Sequence, residues 1–333
     1  MSAPGVRGDT VAANHGAGDK AASAVSGKPV LKSADNPARK LTIKRVFMRL
    51  VLVLVLLLII ICAWLSVRQG LADNTADDAW QDMLTWQAET IEFDQVQQAY
   101  ATMLNANQLA HNHPTYLHRL GRLSHLLMTM ELAKRSYWGG LAKDYYRQSL
   151  AIRPAWPQSW ASLALVKADL LEFDAELDQS LVNATVYGPY EPAVLEIVAG
   201  IGLQHERFLT PTVLEVVYGN IARGLTSPSG GTARNIFALL ANQPLSAGLI
   251  PHLEARLLAN DWAKHTDLWV RLALSHWEQW STAGRQRIRI TLNDKLVDNP
   301  GRMRMVRETD QLLDICPYLP RKPKLMSACK RFD

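Results

Sequence analysis

The longest uninterrupted run of apolar residues lies near the N-terminus of the chain. Leu50 to Val67 contains no charged side chain, and Val46 and Phe47 extend the run toward the N-terminus. At about 1.5 Å of rise per residue, a helix of this length approaches the thickness of about 30 Å of a membrane's hydrocarbon core. The pattern predicts one transmembrane helix over residues 46–67. A lone span excludes a channel or transporter built by this chain alone.

The charges on either side of this run predict its orientation. Lys40, Lys44 and Arg45 precede the run, whereas Asp73 and Asp77 follow it. Basic segments next to a span are retained on the cytoplasmic side of the membrane. We therefore expect the N-terminus in the cytoplasm and the large C-terminal part of the chain outside it.

A cleavable signal peptide is the alternative interpretation of the same run. Gly70 and Ala72 supply the small residues that a cleavage site requires. However, about 45 residues precede the run, and the run is longer than the ~7–15 apolar residues usual in a signal peptide. These two differences favour an uncleaved anchor.

Beyond the span, apolar residues recur at helical rather than alternating intervals. No Asn-Gly or Asp-Gly hairpin turn occurs in the chain, and prolines punctuate the periodic segments. The clearest helical segments are Asp82 to Ala88, Phe93 to His111, Thr115 to Arg135 and Leu141 to Ile152. The sequence therefore predicts an all-α protein with about a dozen helices.

Two of these segments repeat. Pro154 to Ala164 aligns with Pro189 to Ala199 at a constant offset of 35, with both prolines and the final alanine identical. A period near 34 with helical pairs is typical of tetratricopeptide repeats, whose units stack into a solenoid. Ala142, Tyr146 and Leu120-Gly121 match a preceding unit, which carries about nine extra residues around Tyr137 to Gly140.

These patterns divide the chain into five predicted regions. Residues 1–38 are rich in small and polar residues, which predicts a disordered cytoplasmic tail. The transmembrane helix at 46–67 follows. Tetratricopeptide-like repeats are expected over 72–205, a further helical region over 206–315, and a Pro-rich basic tail over 316–333.

A row of tryptophans marks the second helical region. Trp262, Trp269, Trp277 and Trp280 are spaced by 7, 8 and 3 residues, which predicts one face of a single helix with Ala273 filling the gap. Such a row is a candidate platform for stacking sugars. Helical spacing is also what a buried seam requires, and we favour packing in the core.

The distribution of charge along the chain reflects how the chain is arranged across the membrane. The chain of 333 residues is 48% hydrophobic and 20% charged, as in ordinary globular proteins, with a net charge of +5. Ten of its 36 basic residues but only three of its 31 acidic residues lie in the first 68 positions, so the remaining 26 basic and 28 acidic residues leave the C-terminal part slightly acidic. The excess positive charge belongs to the tail and span, and it does not indicate nucleic-acid binding.

Motifs of known catalytic chemistry are missing from the sequence. It has no GxSxG, HExxH, Walker or GxGxxG pattern, and Gly230-Gly231 is interpreted as a turn before a helix. One set of histidines could form a metal site, but we interpret them as histidines at a helix end and in a loop. One set of acidic residues could supply paired carboxylates for glycoside cleavage, but we interpret them as a solvated face. The two sets are His111, His113, His118 and His125, and Glu131, Glu172, Asp174, Glu176 and Asp178. We predict no cofactor, no metal and no enzymatic activity.

One stretch carries a resemblance to a known family. Tyr145 to Leu165, continuing through Glu172-Phe173-Asp174 to Tyr187-Gly188-Pro189-Tyr190-Glu191-Pro192, resembles the VpsP-like bacterial exopolysaccharide biosynthesis proteins. The resemblance covers about 60 of the 333 residues. It implies a membrane-anchored protein with a tetratricopeptide-like region, encoded with polysaccharide polymerisation and export components. From this resemblance and the predicted orientation of the span, we expect a protein of the bacterial inner membrane whose C-terminal domain is periplasmic. The resemblance implies no catalytic residues, and it covers no motif after residue 205.

The anchor, the repeats and the missing motifs together indicate a non-catalytic scaffold that binds envelope or polysaccharide-assembly proteins in the concave groove of stacked helices. A carbohydrate-binding module that holds the nascent polymer, and an unrecognised glycan-modifying enzyme, are the alternatives. The residues expected to line or shape the groove are Arg147, Arg153, Trp156, Trp160, Tyr187 and Tyr190.

The cysteines generate a first testable prediction. Cys62 lies in the span, and Cys316 and Cys329 are thirteen positions apart in the predicted exported tail, where a disulfide closing that loop is worth ~3 kcal/mol. Two free thiols are the alternative. Thiol titration of the chain in non-reducing denaturant should find only Cys62 reactive, and all three cysteines after reduction. An unchanged titre on reduction would contradict the disulfide.

Overall fold

The computed structural model describes residues 37–86, 91–110, 112–241, 244–259 and 265–296. Over these residues the chain forms twelve α-helices and no strand, which confirms the predicted all-α class. The helices are α1 (Pro37–Thr85), α2 (Phe93–Leu109), α3 (Pro114–Met130), α4 (Arg135–Ile152), α5 (Pro157–Asp169), α6 (Ala175–Tyr187), α7 (Pro192–His205), α8 (Pro211–Leu225), α9 (Gly230–Leu240), α10 (Leu249–Ala259), α11 (Thr266–Ser275) and α12 (Thr282–Leu296).

Several predictions concern residues outside the described ones. They are the tail at 1–38, apart from its last two residues, which begin α1; the end of the second helical region from 297; the Pro-rich tail at 316–333; the Cys316 to Cys329 disulfide; and the roles of His111 and Trp262. The described residues divide into two units, one ending at Ile61 and one beginning at Cys62.

Helix α1 contains the predicted span. An 18-residue window within its segment Lys44–Gln81 has a mean hydropathy of 3.3, and its side chains are exposed. The helix is long and apolar enough to cross a membrane, consistent with single-pass anchoring. The separate helix predicted over Asp82 to Ala88 is wrong at its start, because residues 82–85 form the last turn of α1.

The part of α1 that belongs to the second unit carries a stripe of small buried residues. Ala72, Ala76 and Ala79 are at most 4% exposed and join the core formed with α2 and α3. On α3, Tyr116 donates a hydrogen bond to Asp73, and Arg119 contacts Asp77 at 3.3 Å. The small side chains let the helices approach, and the polar contacts set their register.

Helices α3 to α8 form three antiparallel pairs. Ser149, near the end of α4, donates to the carbonyl of Pro114 at the start of α3, at 3.0 Å. Gly188, after α6, lies against Pro157 at the start of α5, and Asn220 of α8 donates to the carbonyl of Leu195 on α7 at 3.0 Å. In addition, α5 contacts α4 and α7, and α7 contacts α9, so each pair packs on the next.

Prolines and short polar side chains set where these helices begin. Pro114, Pro157, Pro192 and Pro211 are the first residues of α3, α5, α7 and α8, where the missing N–H costs no helical hydrogen bond. Ser229 accepts a hydrogen bond from the Thr232 N–H at the start of α9. The last contact confirms the prediction that Gly230-Gly231 opens a helix.

The tryptophan row is buried, but it does not lie on one helix. Trp269, Trp277 and Trp280 are 1%, 0% and 2% exposed, which confirms packing in the core. The prediction of a single helix is wrong, because α11 ends at Ser275 and Trp277 lies in a separate short 3₁₀ turn. The indole N–H of Trp280 donates to the carbonyl of Ala273 at 2.9 Å, which satisfies an acceptor left open at the helix end.

The α3–α4 contact depends on a residue without a side chain. A Cβ atom at Gly121 would lie 2.6 Å from the ring of Tyr146, which is fully buried. The ring therefore occupies the space that any other residue at position 121 would need. Gly140, also helical, has no atom within 4 Å of the corresponding position.

We expect Gly121→Ala to lower the free energy of unfolding by about 1–3 kcal/mol, because the added Cβ would lie within 3 Å of three atoms of the buried Tyr146 ring and force it to shift. The matched change Gly140→Ala should be neutral or stabilising by up to about 1 kcal/mol, since alanine favours the helix. Urea titration followed by helical circular dichroism measures both. Equal stabilities of the two variants would contradict the close contact.

Candidate binding cleft

Arg147, predicted to line a groove, makes a bidentate ion pair between α4 and α6. Its Nε and Nη2 atoms each lie 2.7 Å from a carboxylate oxygen of Glu176 in the first turn of α6. This guanidinium, together with a second contact from Lys167, lowers the pKa of Glu176 to about 2. Arg147 therefore joins α4 to α6, and its principal contact is structural.

Three further predicted residues gather at the turn between α4 and α5. The Arg153 guanidinium lies 4.6 Å from the ring centre of Trp156, and Trp156 packs on the ring of His118 at 4.7 Å. The Trp160 indole donates to the carbonyl of Pro154 at 2.7 Å. These contacts hold the turn in shape.

Tyr187 and Tyr190 flank the neighbouring turn between α6 and α7. They are 47% and 73% exposed, so their rings are available to a partner. Gly188 brings this turn against Pro157, beside the α4–α5 turn. Five of the six predicted residues thus lie at two adjoining turns, while Arg147 contacts the opposite, N-terminal end of α6.

Three of the five acidic residues predicted to form a solvated face also surround a buried cation. Lys167 of α5 has a side chain only 2% exposed, and its Nζ lies 2.8 Å from both Asp174 and Glu176. Glu172 lies 3.5 Å from the same nitrogen and accepts from Lys143 of α4 at 2.5 Å. These three carboxylates remain partly exposed, at 35–54%, but helical periodicity did not reveal the buried lysine that they pair with.

A cleft lies elsewhere, along α3, α5 and α7 and the end of α1. Its volume of about 530 Å³ is in the range of ligand sites. Its apolar lining includes Met83, Trp86, Ile91, Leu126, Leu165 and Ile197. Its polar lining includes His118, Arg122, His125, Thr129, Tyr146, Gln158 and Ser162.

Two of the histidines considered above as possible metal ligands, His118 and His125, line this cleft. His118 is buried, and its Nδ1 lies 2.9 Å from the Ser159 hydroxyl. Burial, reinforced by the charges of Arg122 and Arg119, lowers the pKa of His118 to about 3, so the ring is neutral near pH 7. His125 lies 2.6 Å from Asp169. Over the described residues, no group of three or more potential ligands is placed to hold a metal ion.

Among the described residues, two polar groups of the cleft have no hydrogen-bond or ion-pair partner. The Tyr146 side chain is fully buried, its hydroxyl makes no geometric hydrogen bond, and burial raises its pKa. The Arg122 guanidinium lies 5.0 Å from the ring centre of Trp80 and has no carboxylate within ion-pair distance among the described residues. The cleft therefore combines a cation with a buried hydroxyl.

Sequence reasoning missed this cleft, although the repeat contains a signal for it. Gln158 and Ser162 of α5 are followed at the repeat offset of 35 by Ala193 and Ile197 of α7, and all four line the cleft. On α3, the lining positions also recur at helical spacing. The inward face of the first helix in each pair was the informative pattern, whereas the predicted residues lay at the turns.

Comparison of the chain with protein-family models and with curated proteins found no match. The resemblance to VpsP-like proteins rests on the residues of the motif itself. Conclusions about ligands therefore depend on the chemistry of the cleft and the surrounding helices.

The burial of neutral His118 predicts a pH dependence of stability. The pKa of His118 is about 3 in the folded chain and 6.5 for an unperturbed histidine side chain. Between these two pH values the unfolded chain binds a proton that the folded chain does not. Stability should therefore fall as pH decreases from 6.5, by about 2 kcal/mol from this residue at about pH 5.

Urea titrations near pH 7 and near pH 5 measure this effect. The variant His118→Gln should lose about 2 kcal/mol less between the two conditions than the original chain does. An identical loss in both proteins would show that His118 does not carry the effect.

Proposed function

We propose that this protein is a non-catalytic, membrane-anchored scaffold of bacterial exopolysaccharide biosynthesis or export, which binds partner proteins through its extracytoplasmic helical domain. The observation that carries the proposal is the cleft of about 530 Å³ formed by successive helical pairs in a chain that also has a candidate span. The exopolysaccharide pathway comes from the resemblance in residues 145–192.

The arrangement of the helical pairs supports a tetratricopeptide-like solenoid. The first helices of three successive pairs, α3, α5 and α7, line the cleft, whereas Tyr146 of α4 is the one lining residue from the second helices. In such repeats each pair buries its apolar face only by stacking on the next pair, and the stack leaves a concave surface for a partner. A helix or an extended segment fits such a surface.

An uncleaved anchor in the inner membrane, with the domain in the periplasm, completes the proposal. The basic residues before the span favour a cytoplasmic N-terminus. Ala72, at the candidate cleavage position, is fully buried in the middle of α1. Cleavage there would divide a helix that packs in the domain, which supports an anchor over a signal peptide.

The ion pairs support a binding role over glycoside cleavage. Such cleavage uses two carboxylates on either side of a bound sugar, about 5–9 Å apart. Glu172, Asp174 and Glu176 instead contact Lys143, Arg147 and Lys167. Asp169 contacts the cleft residue His125 at 2.6 Å.

Affinity capture of the full chain from native membranes tests the scaffold. The anchor segment alone, residues 1–86, is the control bait, because it samples the same membrane without the helical pairs. Polysaccharide polymerisation or export proteins should be enriched on the full chain, and deletion of the gene should reduce surface polysaccharide. Equal capture by both baits, together with normal polysaccharide after deletion, would overturn the proposal.

A further inference from the structure

The cleft presents a solvent-exposed cation that no described carboxylate pairs. Arg122 has no carboxylate partner among the described residues, although its guanidinium is held beside Trp80. A guanidinium offers five N–H donors and no acceptor. Its complement is an anion with two oxygens, such as a carboxylate.

Tyr146 provides an independent observation on the same cleft. Its side chain is 0% exposed, and its hydroxyl is buried without a geometric hydrogen bond. Ser162 of α5 lies close to this hydroxyl and also lines the cleft, but the two groups do not reach hydrogen-bond geometry. A buried donor left unpaired is unfavourable, because it has lost its hydrogen bonds to water without replacing them. An acceptor from a ligand would remove this cost.

Among the described residues that line the cleft, Arg122 is the one Arg or Lys, and none is a carboxylate. Asp169 contacts His125 at 2.6 Å, and Asp77 lies 3.3 Å from Arg119, three positions before Arg122 on α3. His118 is neutral near pH 7 and contributes no charge. Arg122 is therefore the cation that the described lining offers to a ligand.

The rest of the lining indicates what accompanies the carboxylate. Met83, Leu126, Leu165 and Ile197 offer aliphatic surface, and Trp86 is the one indole among the lining residues. Aliphatic surface complements the apolar side chains of a peptide. Sugars are held mainly on flat aromatic faces.

We propose that this cleft binds a segment of a partner protein in which an aspartate or glutamate is flanked by apolar side chains, with the carboxylate on Arg122 and an acceptor atom on Tyr146. The inference rests on the proposed function, because it names the chemistry of the partner that the scaffold would hold. A free phosphate or an acidic sugar would share only the anionic group.

A random peptide library displayed on phage, selected against the full chain in lipid nanodiscs, tests this inference. Selected peptides should contain Asp or Glu next to apolar residues. Replacing that acid by its amide should weaken binding at least tenfold in fluorescence anisotropy, because the ion pair with Arg122 is lost.

Variants of the protein locate the site. Arg122→Gln should weaken binding of the selected peptide at least tenfold, and Tyr146→Phe by about threefold or more without loss of helicity. Arg207→Gln is the matched control, because Arg207 is also exposed and lies over an aromatic ring, that of Phe208 at 4.5 Å, but does not line the cleft. It should leave the affinity unchanged.

Three results would overturn the inference: no selected peptide, binding unaffected by Arg122→Gln, or Arg122-dependent binding of a glucuronate oligosaccharide but of no peptide. The outcome is separable from that of the scaffold. If the full chain with Arg122→Gln still captures the polysaccharide polymerisation or export proteins, the inference about the cleft fails and the scaffold proposal stands. If acidic peptides bind through Arg122 but no such protein is captured, the scaffold proposal fails and the cleft chemistry stands.

Discussion

The buried ammonium group of Lys167 constrains the middle of the domain. A lysine that is 2% exposed requires close partners, because removal of its charge from water is costly unless oppositely charged groups replace the water. Asp174 and Glu176 supply these groups from the start of α6, and Asp174 also caps that helix through the N–H groups of Glu176 and Leu177. Arg147 extends the network to α4. One cation thus sets the relative positions of three helices.

This constraint matters for the cleft because the same helices carry its polar groups. Tyr146 is one residue before Arg147 on α4, and Ser162 lies on α5 with Lys167. Gly121 allows the Tyr146 ring to approach α3, which carries His118 and Arg122. The ion pairs on one side and the close packing on the other hold an unpaired hydroxyl near a cation. A binding site with this donor pattern is therefore preorganised before any ligand arrives.

Local sequence patterns predicted much of the fold, and failed where distant residues decide the structure. Prolines at the first helical position predicted helix starts, because their effect depends only on the backbone of the same segment. The Trp277 to Trp280 segment did not continue its helix, because burial and the bond from Trp280 to Ala273 satisfied the helix end. The groove residues were predicted at the turns, because the Trp and Tyr residues there form a recognisable motif, whereas the inward helix face is marked only by the weaker repeat of positions 158 and 162 at 193 and 197.

The sequence by itself determined the apolar span, the all-α class and the period of the helical pairs, since each depends on the spacing of residues along one segment. Only the tertiary structure decided which acids pair with Lys167 and which polar groups meet in the cleft. The Arg147 to Glu176 contact joins residues 29 positions apart, and Tyr146 reaches a cleft lined chiefly by other helices. Such contacts between helices depend on how the helices pack, and the periodicity within one helix does not specify that packing.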